Sequence, residues 1–319
     1  MVAWPLERLN TPALMAKRKD ASVSARPGWK LVWADEFEGS EVDRSKWDFD
    51  LGNGFFDYRG HTWVPGWGNE ELQVYTDAPA NVSVQGSLLT IRALKESVQG
   101  FGYTSARLKT RRRDGTPLFT TLYGRVEFRA RVPWGKGLWP ALWMLPQEDR
   151  YGGWAASGEI DLMEIVGDRP HEVLNSLHFG SGYPERELLT HVHPLPGGSL
   201  VSDWHAYAVE WEPGEVRFYV DDVLTCTRNH WWSCSKTLDG AGLKPTKASD
   251  LNPWPAPFDQ PFYLVMNVAV GGNFPGLPTP ETRFPAELVV DYVRVYSKVG
   301  GYREPKPRAK GKLPWHKKS

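Results

Sequence analysis

The sequence predicts an all-β domain, a two-sheet antiparallel β-sandwich of the β-jelly-roll type. Short runs of residues alternate between apolar and polar, which is the period-two pattern of half-buried strands. Gly and Pro, present 31 and 26 times, separate these runs. No helical period persists for more than a turn or two. One sandwich of this kind accommodates residues 28–298.

The predicted strands are distributed along this whole span. Residues 125–132 alternate strictly between apolar and charged side chains, which predicts a strand with one face in water. Residues 205–222 predict a hairpin, because two alternating runs flank Pro213 and Gly214. The other predicted strands cover residues 31–37, 87–93, 262–270 and 288–296.

The two ends of the chain differ in composition from the domain between them. We predict an N-terminal extension over residues 1–27, the domain over 28–298, and a basic, disordered tail over 299–319. From residue 300 onward the tail holds seven Lys or Arg and three Pro, and it has almost no apolar residue. Residues 1–27 contain no apolar run of signal-peptide length, and no stretch approaches the roughly 20 apolar residues of a membrane span.

Composition narrows the classes of partner. Lys and Arg number 38, and Asp and Glu number 38, so the formal net charge is zero. This gives no electrostatic case for nucleic acid or an anionic membrane as the main partner. The 16 Trp exceed what core packing requires, and those outside the core offer flat indole faces to sugar rings. Cys226 and Cys234 are compatible with one disulfide bridge or with a reduced pair.

The chain is organised around residues 158–167, an apolar run that contains three carboxylates. In a strand, Glu159 and Asp161 share one face, and Glu164 falls on the opposite face. One extra residue in the strand, a β-bulge, would return Glu164 to the face of Glu159. Three acids on one face repel one another, and no Lys or Arg in the run offsets them. This cost indicates a catalytic use.

Glycoside hydrolysis is the chemistry that suits this pattern, because it needs two carboxyl groups across one scissile bond. With the bulge, the backbones of Glu159 and Glu164 lie about four strand steps apart, on the order of 13 Å. Two long side chains that lean inward close much of this distance. The run resembles the catalytic strand of glycoside hydrolase family 16 in its bulged form, Glu-x-Asp-x-x-Glu.

Four further segments extend the resemblance over nearly the whole domain. They are residues 67–76, 138–146, 258–264 and 267–276. The last two are similar to the laminarinase branch of the family, the endo-1,3-β-glucanases. The chain departs from that branch at Phe274, where the branch often has Trp, and in a long insertion over residues 229–257.

The resemblance implies a retaining endo-glycosidase with a concave substrate cleft, which hydrolyses internal β-1,3-glucosidic bonds in β-glucans such as laminarin by double displacement. Glu159 would be the nucleophile and Glu164 the general acid and base. A neighbouring carboxylate and a Trp-lined surround would raise the pKa of Glu164, and Asp161 would orient the pair. No cofactor is expected for catalysis. The enzyme is expected to be a secreted or periplasmic monomer.

Three alternatives stay open at this point. The substrate could be another polysaccharide of the family, such as mixed-linkage glucan, agar or another galactan. A transglycosylase shares the covalent intermediate and differs in what resolves it. A non-catalytic β-glucan-recognition protein uses the same sandwich, but such relatives typically lack the catalytic carboxylates.

The resemblance also assigns residues that bind the substrate. Trp139 and Trp143 are four residues apart, which places them on one face of a strand about 13 Å apart. His178 occupies the position of a cleft histidine next to the acid/base. The other expected contacts are Asn69 and Arg107, which orient sugar hydroxyls, and Trp67 and Trp232, which act as stacking platforms.

A structural calcium ion on the convex face is the last implication of the resemblance. Its expected ligands are backbone carbonyls at Glu36 and Gly86 and the carboxylate of Asp291. Oxygen ligands of this kind suit a hard cation.

Overall fold

The computed structural model describes residues 26–58, 60–235 and 244–305. Within these ranges the chain forms nineteen strands and three short 3-10 helices, which confirms the all-β prediction. Two large sheets are antiparallel throughout, and apolar residues from both form one buried core. The sandwich therefore has one sheet on each side of that core.

The sheet opposite the carboxylates, here called the outer sheet, has eight strands. These are β1 (Trp29–Asp35), β6 (Val82–Val84), β7 (Leu89–Ala93), β10 (Gly124–Arg131), β15 (His205–Glu212), β16 (Glu215–Val220), β17 (Val223–Arg228) and β19 (Ala286–Lys298). They lie in the order β17-β16-β15-β10-β19-β7-β6, and β1 pairs with the remaining length of β19.

The second sheet, here called the cleft sheet, has seven strands and carries the three carboxylates. These are β2 (Asp48–Asp50), β9 (Arg107–Lys109), β11 (Leu138–Pro146), β12 (Glu159–Glu164), β13 (Glu172–Gly180), β14 (Arg186–Pro194) and β18 (Phe262–Val270). Their order is β14-β13-β12-β11-β18-β9-β2. The carboxylate strand β12 is therefore flanked on both sides.

Two small strand pairs and three single turns complete the structure. Strands β3 (Gly54–Asp57) and β4 (Thr62–Pro65) form an antiparallel hairpin, and β5 (Gln73–Tyr75) pairs in parallel with β8 (Tyr103–Ser105). The 3-10 helices are Gly66–Gly68, Pro196–Gly198 and Ala248–Asp250. Within the described ranges no helix has the length and apolar character needed to cross a membrane.

The strands predicted from the sequence are all present, and the ends of each lie within two residues of the predicted ends. The predicted hairpin turn is also present, because Glu212 pairs with Glu215 across Pro213 and Gly214. Both features depend on local sequence, since the period of a strand and the chemistry of a tight turn involve only neighbouring residues.

The prediction that residues 125–132 leave one face in water is wrong for the first half of the strand, whereas Arg129 and Arg131 are partly exposed. Arg125 is only 1% exposed, and its guanidinium binds the carboxylates of Glu127, Glu210 and Asp222. Strand β10 lies inside the outer sheet, so side chains from neighbouring strands cover this face. Arg125 and Glu127 belong to a buried ion-paired network, which has the same sequence pattern as a solvated face.

The ends of the chain pack onto the domain farther than predicted. Arg26, assigned to the extension, pairs with Glu127 and Asp222. Tyr302, assigned to the disordered tail, packs on Tyr123 with ring centroids 5.3 Å apart. One aromatic side chain thus anchors the first residues of a polar segment. Residues 1–25 and 306–319 of the two predicted segments lie outside the described residues.

The two cysteines carry free thiols in the structure. Cys226 lies on β17 and is half-buried, whereas Cys234 is buried in the segment that follows. Of the two states left open by the sequence, the structure shows the unbridged one.

Candidate active site

Strand β12 contains the bulge that the spacing of the carboxylates predicts. On the side of β11, the residues before and after Leu162 are paired but Leu162 is not. The extra residue reverses the parity of the strand. Glu159, Asp161 and Glu164 consequently share the cleft-facing side. Glu159 forms a hydrogen bond with Asp161 and interacts electrostatically with Glu164.

Asn175 of β13 completes the hydrogen bonding of this bulge. Its Nδ2 donates to the Leu162 carbonyl at 2.7 Å, and its Oδ1 accepts from Thr225 Oγ1 at 2.7 Å. The side chain is fully buried, so the first bond satisfies a carbonyl that the bulge removes from the ladder. Sequence reasoning missed Asn175; the available signal was an amide at a buried strand position.

Each glutamate accepts a hydrogen bond from an indole. Trp154 Nε1 donates to Glu159 Oε2 at 2.7 Å, and Trp139 Nε1 donates to Glu164 Oε1 at 3.1 Å. Ser176 Oγ also donates to Glu164 Oε2 at 3.1 Å. These donors fix both carboxyl groups in the cleft. Trp154 was missed by sequence reasoning, although it lies five residues before Glu159.

Burial raises the pKa of all three carboxyl groups. It raises the pKa of Glu159 to about 7, with the charge of Glu164 as the second cause. The pKa of Asp161 rises well above its ordinary value through burial and the charges of both glutamates. Burial also raises the pKa of Glu164, against the hydrogen bonds from Trp139 and Ser176.

The raised pKa of Glu164 matches the direction predicted from the sequence, and burial, one of the two predicted causes, produces it. The Trp139 indole donates a hydrogen bond to the carboxylate and so lowers this pKa rather than raising it. The pKa values of Glu159 and Asp161 are raised as well, a shift that was not predicted from the sequence. Burial and mutual repulsion therefore disfavour ionisation of all three groups at once.

His178 lies beside Glu159, not beside Glu164 as the resemblance implied. Strand β13 pairs His178 with Glu159, and His178 Nε2 is 3.6 Å from Glu159 Oε1 and 3.4 Å from Asp161 Oδ2. Burial, with a smaller contribution from the charge of Arg186, lowers the pKa of His178 to about 3. It is a neutral imidazole at the Glu159 end of the site.

Glu159, Asp161 and His178 also form a group that could hold a metal ion. One ligand atom from each lies within 4.8 Å of the other two. Asp161 Oδ2 is buried and makes no hydrogen bond within the part of the chain that the structure describes. Imidazole nitrogen and carboxylate oxygen are zinc ligands. A metal ion here would bind the Glu159 carboxylate, which is expected to attack the sugar, and would therefore inhibit catalysis.

Arg107 lies between two tryptophans of the cleft. Its guanidinium carbon is 4.6 Å from the centre of the Trp67 ring and 4.7 Å from the centre of the Trp143 ring. Its Nε pairs with Asp50 Oδ2 at 2.9 Å. The cation covers one face of each indole, so each of these rings has only its other face for a sugar. Trp139 shares the face of Trp143, because β11 pairs regularly with β18.

Asn69 is held by Glu71, a buried acid that sequence reasoning missed. Asn69 Nδ2 donates to Glu71 Oε1 at 3.2 Å, and Gln73 Nε2 donates to Glu71 Oε2 at 2.6 Å. Burial raises the pKa of Glu71. These bonds fix the Asn69 side chain next to Trp67, whose carbonyl accepts a second bond from Nδ2 at 3.4 Å.

Trp232 is not a stacking platform. Its side chain is 5% exposed and packs edge-on against Phe179, with ring centroids 6.5 Å apart. Its ring lies 3.1 Å from where a Cβ on Gly180 would be. The insertion over residues 229–257 supplies core side chains here, and an indole has the same sequence signature in a core as in a cleft. Its residues 236–243 lie outside the described ranges.

The three residues expected to bind calcium meet at one gap in the outer sheet. Strand β19 pairs with β7 up to Val290 and with β1 from Val293 onward, and Asp291 lies between. Glu36 follows the end of β1, and Gly86 lies in the turn before β7. The topology thus brings all three to the same edge of β19.

Arginines already pair with the carboxylates at this gap. Arg129 Nη1 donates to Asp291 Oδ2 at 2.5 Å, and Arg294 donates to both oxygens of Glu36 at 2.7 and 2.9 Å. The donor set suits calcium if Glu36 contributes its backbone carbonyl and the ion shares Asp291 with Arg129.

Comparison with known proteins gives consistent matches. The family model described as Glycosyl hydrolases family 16 matches residues 67–233. The Beta-glucanase of Rhodothermus marinus is 43% identical over 282 residues, which cover 85% of this chain and 86% of that relative. Glucan endo-1,3-beta-glucosidase A1 of Niallia circulans is 42% identical over 281 residues; the match covers 84% of this chain but only 38% of that relative's length. The solved laminarinase structure from Rhodothermus marinus superposes with a TM-score of 0.68 at 40% identity, covering 86% of this chain and 98% of that one.

Proposed function

The chain belongs to family 16 of the glycosyl hydrolases, and on this premise we propose that it is a retaining endo-glycosidase that hydrolyses internal β-1,3-glucosidic bonds in β-glucans such as laminarin. The observation that carries the proposal is the placement of Glu159, Asp161 and Glu164 on one face of β12 by the bulge. The names of the similar proteins, a β-glucanase, an endo-1,3-β-glucosidase and a laminarinase, support the substrate.

The site supplies opposite protonation states for the two glutamates. Since the charge of Glu164 is one cause of the raised pKa of Glu159, a proton on Glu164 lowers that pKa. Hydrogen bonds from Trp154 and Asp161 and the charge of Arg107 stabilise the ionised form of Glu159. Double displacement requires the reaction to start with Glu159 ionised and Glu164 protonated, and these contacts support that assignment.

In the first step, Glu159 attacks the anomeric carbon, and the bond from that carbon to the glycosidic oxygen breaks. Glu164 gives its proton to the departing oxygen. The products are a glycosyl ester on Glu159 and a shortened chain with a new hydroxyl group. Asp161 keeps its own proton and holds the Glu159 carboxyl in position.

In the second step, the ionised Glu164 takes a proton from water, whose oxygen attacks the anomeric carbon and releases Glu159. Two successive inversions give net retention of configuration. The Trp139 indole that donates to Glu164 stabilises its carboxylate between the two steps.

Buried acid groups favour an enzyme over a non-catalytic glucan-binding protein. Burial of three neighbouring carboxyl groups costs free energy, and binding a neutral polysaccharide does not require it. Perturbed titratable groups of this kind cluster at catalytic sites. Hydrolysis of another polysaccharide and transglycosylation would use the same three groups, so experiment must separate them.

The proposal extends to the state of the enzyme. Its chemistry uses no cofactor, and the chain works as a monomer. A polysaccharide does not cross a membrane, so the enzyme acts outside the cytoplasm, as a secreted or periplasmic protein. One calcium ion at the gap beside Asp291 would join β1 and β7 to β19, away from the cleft.

The test is a screen of the purified protein against laminarin, lichenan, agarose, carrageenan and xyloglucan. We expect reducing ends to be released from laminarin, with oligosaccharides of mixed length as first products. Cleavage of agarose without cleavage of laminarin would overturn the substrate. Binding without release would indicate a recognition protein, and products longer than an added oligosaccharide would indicate a transglycosylase.

A further inference from the structure

A hairpin beside the cleft exposes more aromatic surface than folding requires. This aromatic hairpin, residues 54–65, consists of β3, β4 and the turn between them, of which residue 59 is not described. The exposed fractions are 42% for Phe55, 42% for Phe56, 79% for Tyr58 and 49% for Trp63. Exposed aromatic surface of this kind, on either face of a hairpin, indicates a binding site.

Both faces of the aromatic hairpin carry rings. Phe55 pairs with Val64, and Phe56 pairs with Trp63, so the two phenylalanines point to opposite faces. The Trp63 ring crosses the face of Gly54, where a Cβ would lie 3.0 Å from it. A Cβ there would also lie 2.2 Å from the Val64 carbonyl oxygen, so a side chain at this position would disturb the pairing of β3 with β4.

The aromatic hairpin is continuous with the wall of the cleft. The Phe55 ring lies 6.2 Å from the Trp67 ring, which in turn lies 4.6 Å from the Arg107 guanidinium. At the base of the hairpin, Gly52 and Tyr75 exchange two backbone hydrogen bonds of 2.9 and 2.8 Å. A row of planar groups therefore runs from the cleft to the hairpin.

The hairpin is too far from the carboxyl groups of β12 for a short ligand to contact both. In the cleft sheet, β2 lies four strands from β12, which is about 19 Å at ~4.8 Å per strand. The aromatic hairpin follows β2 directly along the chain. A ligand that contacts both the catalytic carboxyls and this hairpin must be a chain of several sugar rings.

We propose that the aromatic hairpin binds the distant part of the glucan chain whose scissile bond lies between Glu159 and Glu164. This inference rests on the proposed function. Phenyl and indole faces pack against the apolar C–H faces of pyranose rings without any need for charge, which suits a neutral glucan. The hairpin thereby favours long chains over short oligosaccharides and takes no part in bond cleavage.

The test compares a long substrate with a short one. The double variant Phe55→Ala/Trp63→Ala removes one ring from each face of the hairpin, at exposed positions. We expect the ratio of its KM for laminarin to its KM for laminaritetraose to rise about tenfold, since two aromatic contacts are lost. Leu224→Ala, at an exposed site on β17 of the outer sheet, is the control and should keep the wild-type ratio. The single variants then locate the binding face.

Several outcomes would overturn the inference, and they differ from a failure of the proposed function. An unchanged ratio in a double variant that still cleaves laminarin excludes the hairpin and leaves the proposed function intact. If sedimentation velocity shows that the wild type is a dimer and the double variant is a monomer, the hairpin would be assigned to contacts between copies of the chain. If the wild type cleaves no β-glucan, the proposed function fails. The laminarin affinities of the wild type and the double variant, measured by calorimetry, then show separately whether the hairpin binds glucan.

Discussion

The Asn175 side-chain amide donates a hydrogen bond to the Leu162 backbone carbonyl over 2.7 Å, at the residue that displaces the register of β12. The bulge places Glu164 in the cleft, so Asn175 connects the packing between the two sheets to the position of Glu164, the proposed general acid. Thr225 of the outer sheet holds the other end of the same amide.

Replacing Asn175 with Ala should reduce both stability and turnover. The variant leaves a buried carbonyl without its donor, which costs about 1 to 3 kcal/mol, and it frees the bulge that positions Glu164. Urea unfolding and kcat on laminarin measure the two effects. Thr225→Val is the matched control, because it keeps the Asn175 donor, and it should lower kcat less. A destabilised Asn175→Ala enzyme with wild-type kcat would show that other contacts suffice to hold the bulge.

The two glutamates should respond differently to azide. Glu159→Ala removes the nucleophile, so turnover is lost and azide should restore it as the inverted, α-configured glycosyl azide. Glu164→Ala keeps the nucleophile, and azide should give the β-configured product. Proton NMR of the products distinguishes the two, and in the wild type β-anomers should appear first. Initial α-anomers from the wild type would mean an inverting enzyme and would refute the nucleophile assignment.

The buried Glu159 should make the protein less stable as the pH rises. Its pKa is raised from 4.5 to about 7 in the folded state, so the folded state binds the proton more tightly. Its stabilising effect is complete below pH 4.5 and is lost as the pH rises to 7, with a change of roughly 3 kcal/mol. The variant Glu159→Gln does not titrate there, so relative to wild type it should gain stability between pH 5 and pH 8. Chemical denaturation at several pH values measures this difference, and a constant difference would refute the shift.

Zinc should inhibit the enzyme by competition with the substrate. Ligand atoms of a tetrahedral zinc ion, each ~2.0 to 2.1 Å from the metal, lie about 3.3 Å apart. The distances from His178 Nε2 to Asp161 Oδ2 and to Glu159 Oε1, 3.4 and 3.6 Å, are close to this value. Added Zn²⁺ should raise the apparent KM without lowering kcat, and EDTA should reverse the effect. In His178→Ala the inhibition constant for Zn²⁺, measured relative to the activity of that variant without zinc, should rise at least about tenfold. Inhibition that is unaffected by this variant would place the ion elsewhere.

Calcium should raise the melting temperature through the outer sheet. An ion that binds only the folded protein stabilises it in proportion to the logarithm of its concentration above Kd. Differential scanning fluorimetry should therefore give a higher melting temperature with calcium than with chelator. Asp291→Ala should abolish this difference. Lys30→Ala, an exposed position on β1, is the control. A melting temperature that neither calcium nor chelator changes would exclude the site.

The sequence by itself determined the strands, the turns and the parity of the carboxylates. The alternation of faces in a strand is a local property of the backbone, so the spacing of Glu159, Asp161 and Glu164 was sufficient to predict the bulge. The resemblance to one family was likewise carried by contiguous motifs, of which the stretch around Trp139 and Trp143 is an example.

Only the tertiary structure decided which of these side chains are buried and which are available. Trp232 and Trp143 look alike in the sequence. The insertion packs Trp232 into the core, whereas Trp143 lies in the cleft. Arg125 follows a solvent-facing pattern yet is buried in an ion network that includes Asp222, which is distant in sequence. The raised pKa values of Glu159 and Asp161 were not predicted for the same reason, since burial comes from residues far apart in sequence. The contact of Asn175 with Thr225 likewise joins two sheets that no local pattern relates.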